Sequence, residues 1–127
     1  RSPMAEAIFN DMAEKNGVCV RAESFGIATS TGLPVSENSV IACKEIGIDL
    51  SGKASTAVAD AGIEKYEKFY CMSQSHAKML MQFFLVQPEK IAVLGISDPY
   101  GGDIEVYRHC RDEIVNSVKE ILKAYEN

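Results

Sequence analysis

Between Pro88 and Asp98 the chain carries an unbroken apolar run, Ile91-Ala92-Val93-Leu94-Gly95-Ile96. A strand with one face in water alternates apolar and polar residues. A continuous run marks a parallel strand covered on both faces. Parallel strands cannot be joined by a tight hairpin; they need a crossover, usually a helix. The flanking residues comply. Gln74 to Leu85 reads as a helix with Leu80, Phe83 and Phe84 as core candidates, and Pro88 breaks it. After the loop Asp98-Pro99-Tyr100-Gly101-Gly102, Asp103 caps a long last helix. Its apolar face holds Ile104, Tyr107, Ile114, Val118, Ile121, Leu122 and Tyr125.

The same alternation extends toward the start of the chain. Lys68-Phe69-Tyr70-Cys71-Met72 reads as a strand ending at Ser73. Ser36 is an N-cap for a short helix with Val40, Ile41 and Ile46 on one side, stopped by Gly47. Residues 24–35 and 48–54 read as loops, and Ser55 to Ala61 as a second short helix. Val18 to Ala22 is a short strand. Residues 1–16 form a helix with Met4, Ile8 and Met12 in a stripe, Pro3 in the first turn and Asn16-Gly17 as the stop. The order α-β-α-(α)-β-α-β-α predicts an α/β fold, a three-layer αβα sandwich on a parallel sheet, as one domain over residues 1–127. The unusual feature is that the chain opens on a helix, where such folds normally open on a strand.

Composition narrows the function. A net charge of −5 argues against nucleic acid as the main partner, since phosphate backbones require a basic footprint. No apolar run is long enough to span a bilayer. The four cysteines, Cys19, Cys43, Cys71 and Cys110, form no Cys-x-x-Cys pair, and they read as small buried fillers of a reduced, cytoplasmic protein. His76 reads as a capping or surface residue and His109 as a surface one. No His/Cys/Asp/Glu spacing suits a metal.

Four segments, in order, carry a resemblance to a known family. Arg1-Ser2-Pro3-Met4-Ala5-Glu6-Ala7 resembles the tail of the signature Cys-x5-Arg-Ser-Pro-Met-Ala-Glu of low-molecular-weight protein tyrosine phosphatases. Gly47-Ile48-Asp49-Leu50-Ser51-Gly52 and Tyr70-Cys71-Met72-Ser73-Gln74-Ser75-His76 look like family segments, and Asp98-Pro99-Tyr100-Gly101-Gly102 resembles the family's general-acid loop. The resemblance implies a phosphate cradle of backbone N–H groups at a helix N-terminus, with an arginine forking onto two phosphoryl oxygens. Arg1 matches that arginine. Ser2 matches a serine that hydrogen-bonds the nucleophilic thiolate. Asp98 matches the acid that protonates the departing oxygen, with Pro99 supporting the loop and Tyr100 walling the substrate pocket. It implies no metal and no cofactor. Read without the family, Asp-Pro-x-Gly is good turn chemistry, and Arg1-Ser2 is simply a chain start.

The nucleophile is where the sequence departs from the pattern. It belongs six positions before Arg1, and none of the four cysteines present replaces it. At that spacing Cys19 is followed by Phe25, Cys43 by Asp49, Cys71 by Ala77 and Cys110 by Asn116. The resemblance therefore implies a truncated domain lacking its first, internal strand and its cysteine loop, inactive as written. Its open sheet edges would favour self-association. The complete form would be a protein tyrosine phosphatase acting through phosphocysteine on phosphorylated proteins and binding phosphate- or sulfate-like anions. The alternatives are a protein arginine phosphatase of the same fold and a non-catalytic remnant that serves as a binding module.

Overall fold

The computed structural model describes residues 2–26, 35–50 and 65–125. Arg1 and the short helix expected at 55–61 lie outside them. Helix α1 spans Ser2–Lys15, α2 Glu37–Lys44, α3 Gln74–Phe83 and α4 Ile104–Lys123; strand β1 is Phe69–Cys71 and β2 is Ile91–Val93. The strands pair in parallel, Phe69 opposite Ile91, Tyr70 opposite Ala92 and Cys71 opposite Val93. The crossover runs through α3 and a 3-10 turn at Pro88–Lys90. Two further bonds prolong the pairing: Leu94 N–H donates to Cys71 O at 2.8 Å and Ile96 N–H to Met72 O at 2.9 Å.

Side chains alternate across a strand, so each strand feeds two layers. Phe69, Cys71, Ile91 and Val93 face α3, where Ala77, Leu80 and Val86 complete a small core. Met72, Leu94 and Ile96 face the main core, built with Met4, Ile8, Phe9 and Ala13 of α1 and with Tyr107, Cys110, Ile114, Val118 and Leu122 of α4. This is the expected αβα arrangement. Met4, Ile8 and Ile114 are fully buried. Burying each such side chain contributes roughly 1.5–3 kcal/mol.

The helix stops expected at Gly17 and Gly47 occur where expected. Both glycines have positive φ, +70° and +80°. The residue after each closes a six-residue ring, Val18 N–H to Ala13 O at 2.8 Å and Ile48 N–H to Cys43 O at 3.0 Å. Ser36, Ser73 and Asp103 cap α2, α3 and α4, their side chains accepting from the N–H groups of Ser39, His76 and Val106.

Six sequence expectations are revised. Val18–Ala22 is extended and buries Val18, Val20 and Ala22 against the main core, but it joins no ladder among the described residues. Side chains of α1 satisfy its backbone instead. Asn10 both donates to Ala22 O at 3.0 Å and accepts from Ala22 N–H at 2.8 Å, and Glu6 accepts from Ser24 N–H at 2.7 Å. Cys19 points outward and is exposed, as alternation along an extended segment requires. In α2 the buried face is Ser39, Ala42 and Cys43, while Ile41 and Ile46 are exposed; small residues let α2 lie close against α4. β2 is shorter than the apolar run and half-buried, since β1 is its one partner among the described residues. Phe83 is 69% exposed because α3 ends there, and Tyr125 stands past the last turn of α4 at 36% exposure.

Leu85 is the one described non-glycine residue with positive φ, at 57°, and its side chain is 83% exposed. Val86 N–H then reaches back to Leu80 O at 3.1 Å, which gives Leu85 the position glycine usually holds at a helix end. The left-handed conformation costs a residue with Cβ roughly 1–2 kcal/mol, and glycine's extra freedom in the unfolded chain returns part of that. Leu85→Gly is expected to stabilise the fold by about 0.5–1 kcal/mol, read as a rise in denaturation midpoint at unchanged m-value.

Glu45, just past α2, ties that helix to α4. Its carboxylate accepts from Arg108 Nη2 at 2.7 Å and from Arg111 Nη1 at 2.8 Å, and the same Arg111 nitrogen donates to Ala42 O at 2.9 Å. The Arg108 guanidinium, helped by Arg111, holds the Glu45 carboxyl below its ordinary value of 4.5. A depressed folded-state pKa means stabilisation that is present above the unfolded value and lost as pH falls through the folded one. Glu45→Gln should therefore lower Tm at neutral pH. The gap to the parent protein should close as pH falls below about 4.5 and shrink with added salt.

Candidate active site

In open parallel sheets, ligands bind beyond the carboxyl ends of the strands, where loops lead into helices. Two such exits are described here. Past β1, Met72 turns into the core and Ser73 caps α3; the Ser73 and Ser75 hydroxyls lie 3.0 Å apart, and His76 N–H donates to Ser73 Oγ at 3.4 Å. His76 is half-buried in the first turn of α3, as a residue beside a cap. Past β2 the chain runs through Gly95, at φ +69°, and the buried Ile96 into the Asp98 loop. Met4, two residues after Ser2, is buried in the same cluster as Met72 and Ile96, so the start of α1 shares a core with both exits.

The Asp98 loop is built of interlocked turns. Asp98 Oδ1 accepts from Tyr100 N–H at 3.0 Å, and Pro99 O accepts from Gly102 N–H at 2.8 Å. The latter bond closes a four-residue turn whose third residue, Gly101, has φ +81°, a value that Gly adopts without steric cost. Pro99 is buried, which anchors the turn to the domain. Asp98 is exposed, and Tyr100 is 88% exposed. Asp103 then starts α4 by accepting from Val106 N–H at 3.2 Å. The loop thus holds a carboxylate on a short, braced platform at the carboxyl end of β2, beside an open aromatic ring.

Of the five residues singled out from sequence, the structure describes the surroundings of Asp98, Pro99 and Tyr100. Ser2 is the first residue of α1, and Arg1 lies outside the described residues. Sequence reasoning missed the bracing roles of Gly102 and Asn10, since both depend on contacts with residues distant along the chain or around a turn. Glu6 belongs to the Arg1–Ala7 motif, and the fold gives it hydrogen bonds to Ser24 that the motif does not imply. Among the described residues, no group of three or more His, Cys, Asp or Glu is placed to hold a metal ion. No described helix is long and apolar enough to cross a membrane.

A sequence profile for low molecular weight phosphotyrosine protein phosphatases matches residues 1–127. A protein-arginine-phosphatase of Bacillus subtilis is 28% identical over 132 residues, spanning 97% of this chain and 87% of that protein. The protein-arginine-phosphatase of Geobacillus stearothermophilus is 30% identical over 132 residues, spanning 97% and 86%. The crystal structure of a low molecular weight protein tyrosine phosphatase from T. tengcongensis superposes with a TM-score of 0.91 at 28% identity, covering 98% of this chain and 90% of that one.

The thiols differ sharply in environment. Burial pushes the Cys43 thiol up to about 11 despite the nearby Arg111, and burial also raises Cys71. Cys110, on α4, is buried in the main core, whereas Cys19 faces solvent. Thiolates are the reactive form, so raised and buried thiols are inert. Iodoacetamide is expected to modify Cys19 in the native protein and the other three only after unfolding, read by peptide mass spectrometry. Native labelling of Cys43 or Cys71 would contradict the packing.

Proposed function

Because the chain belongs to the low molecular weight phosphotyrosine protein phosphatase family, we propose that residues 1–127 form the greater part of a single domain that hydrolyses phosphomonoesters on proteins, phosphotyrosine foremost. The nucleophile is a cysteine in a loop ahead of Arg1, so Arg1–Asn127 without that loop does not turn over phosphoester. In the first step the thiolate attacks phosphorus, the ester P–O bond breaks, and Asp98 delivers its proton to the leaving oxygen. In the second, the Asp98 carboxylate takes a proton from water, whose oxygen attacks phosphorus and breaks the P–S bond to release phosphate. Arg1 forks onto the phosphoryl oxygens, and Ser2 at the start of α1 supports the thiolate. Tyr100 offers its ring to the substrate side chain.

The observation that carries this reading is the Asp98 loop itself. Its carboxylate is exposed and its backbone braced, at the sheet edge where such folds bind ligands. Family membership adds the role. The unpaired cysteines suit a reducing cytoplasm, where we place the protein. A second reading, hydrolysis of phosphoarginine, is favoured by the names of the two curated relatives above. Both readings use the same residues; they differ in whether the leaving atom is a phenolic oxygen or a guanidinium nitrogen.

The test compares Arg1–Asn127 with the same chain extended by a strand and a Cys-x5 loop, using p-nitrophenyl phosphate, a phosphotyrosine peptide and a phosphoarginine peptide. Turnover is expected only from the extended protein, and Asp98→Asn in that protein should lower kcat on the favoured peptide by about 10²–10⁴-fold. Turnover by Arg1–Asn127 alone would rule out this mechanism. The faster of the two peptides identifies the substrate class.

A further inference from the structure

We infer that Gly102 and Val106 are positioning residues for Asp98: their contact sets how closely the acid-bearing loop seats on α4. The inference rests on the role proposed for Asp98 and adds what holds that carboxylate at its height. A methyl group at residue 102 would lie 2.8 Å from Val106 Cβ, 2.9 Å from Val106 Cγ1 and 3.0 Å from Pro99 O. Val106 Cγ1 can turn away, but Val106 Cβ and Pro99 O cannot yield cheaply. Val106 Cβ is fixed to the backbone of α4's first turn, where its own N–H is bonded to the Asp103 cap at 3.2 Å. Pro99 O belongs to the turn itself and already accepts from Gly102 N–H at 2.8 Å. Gly102 is present for clearance, since it is the neighbouring Gly101, at φ +81°, that needs glycine's conformational freedom.

The consequence passes to the carboxylate through two bonds. Residue 102 closes the turn on Pro99, and Tyr100 N–H inside that turn donates to Asp98 Oδ1 at 3.0 Å. The strand side is held as well, by Ile96 N–H on Met72 O at 2.9 Å. A side chain at 102 must therefore lift the turn from α4. Carbon atoms pack at about 3.5–4.0 Å, so the lift is on the order of 1 Å. A misplacement of that size at a reacting group can cost about 10²-fold in rate.

The experiment uses the full-length protein, Cys-x5 loop included, and compares kcat/KM for phenyl phosphate with that for p-nitrophenyl phosphate. Phenol is the more basic leaving group and depends more on a proton from Asp98. Gly102→Ala is expected to lower kcat/KM for phenyl phosphate by about 10–10²-fold and for p-nitrophenyl phosphate by much less. Adding Val106→Gly removes the two shortest contacts and leaves only Pro99 O at 3.0 Å, so most of the lost ratio of the two rates should return. An equal loss on both substrates, no loss, or no recovery in the double variant would overturn the inference. If Gly102→Ala does not fold, the double variant decides alone: it must fold and keep a ratio within a few-fold of the parent's. A crystal structure of the variant tests placement without turnover, with Asp98 displaced by about 1 Å expected and Asp98 unmoved refuting it. Absence of phosphatase activity in the parent protein would instead refute the proposed function, leaving the crystal structure to test the seating.

Discussion

The packing of α1 on α4 governs where the parts of the candidate site lie. Met4 and Ile8 on one helix and Ile114, Val118 and Leu122 on the other are almost wholly removed from water. They share one core cluster with Met72 and Ile96, the residues by which the chain leaves the two strands. Ser2 is the first residue of α1, and the Asp98 loop runs directly into the head of α4. Each element of the proposed chemistry is therefore an extension of a helix whose position is fixed by the same apolar contact. Interiors this closely packed transmit small displacements, which is why a single added methyl at the loop would be felt at the carboxylate.

Around that contact, polar groups do specific work. Glu45 joins α2 to α4 through Arg108 and Arg111. Asn10 and Glu6 replace ladder hydrogen bonds for residues 22–24, so that an extended segment with no strand partner among the described residues still has backbone groups satisfied. On the opposite layer, Phe25, Tyr66 and Phe69 cluster with ring centroids 5.8–6.2 Å apart, and the Tyr66 hydroxyl donates to Glu23. Tyr66 is consequently pushed up to about 12, with burial as the larger cause, and serves as an aromatic donor rather than an acid.

The candidate site combines rigid and open parts. The Asp98 loop is braced by a buried proline, a closed turn and a helix cap, yet the Asp98 and Tyr100 side chains face solvent. Catalytic groups held on rigid elements need little reorganisation when substrate arrives. The free thiols contrast with this. Three are buried, and burial suppresses the thiolate at Cys43 and Cys71; the fourth, Cys19, is exposed on the segment that follows α1. The chemistry proposed here thus assigns the nucleophile's role to none of these four thiols.

Much of this was legible in the sequence because it depends on local or periodic signals. Alternating strand and helix patterns marked the α/β class, Gly17 and Gly47 marked helix ends, and Ser36, Ser73 and Asp103 marked helix starts. The motifs around Arg1 and Asp98 pointed to the family and to the residues for which chemical roles are proposed. What the tertiary structure alone decided was set by contacts between residues far apart or around a turn. Apolar character could not tell that Phe83 and Ile41 face water while Ser39 is buried, because that depends on which face of a helix meets its neighbour. Nor could it tell that Leu85 takes a left-handed turn, that Asn10 substitutes for a strand, or that Gly102 is small for the sake of Val106. Periodicity encodes which way a side chain points relative to its own element, whereas clearance and partnership exist only once two elements have come together.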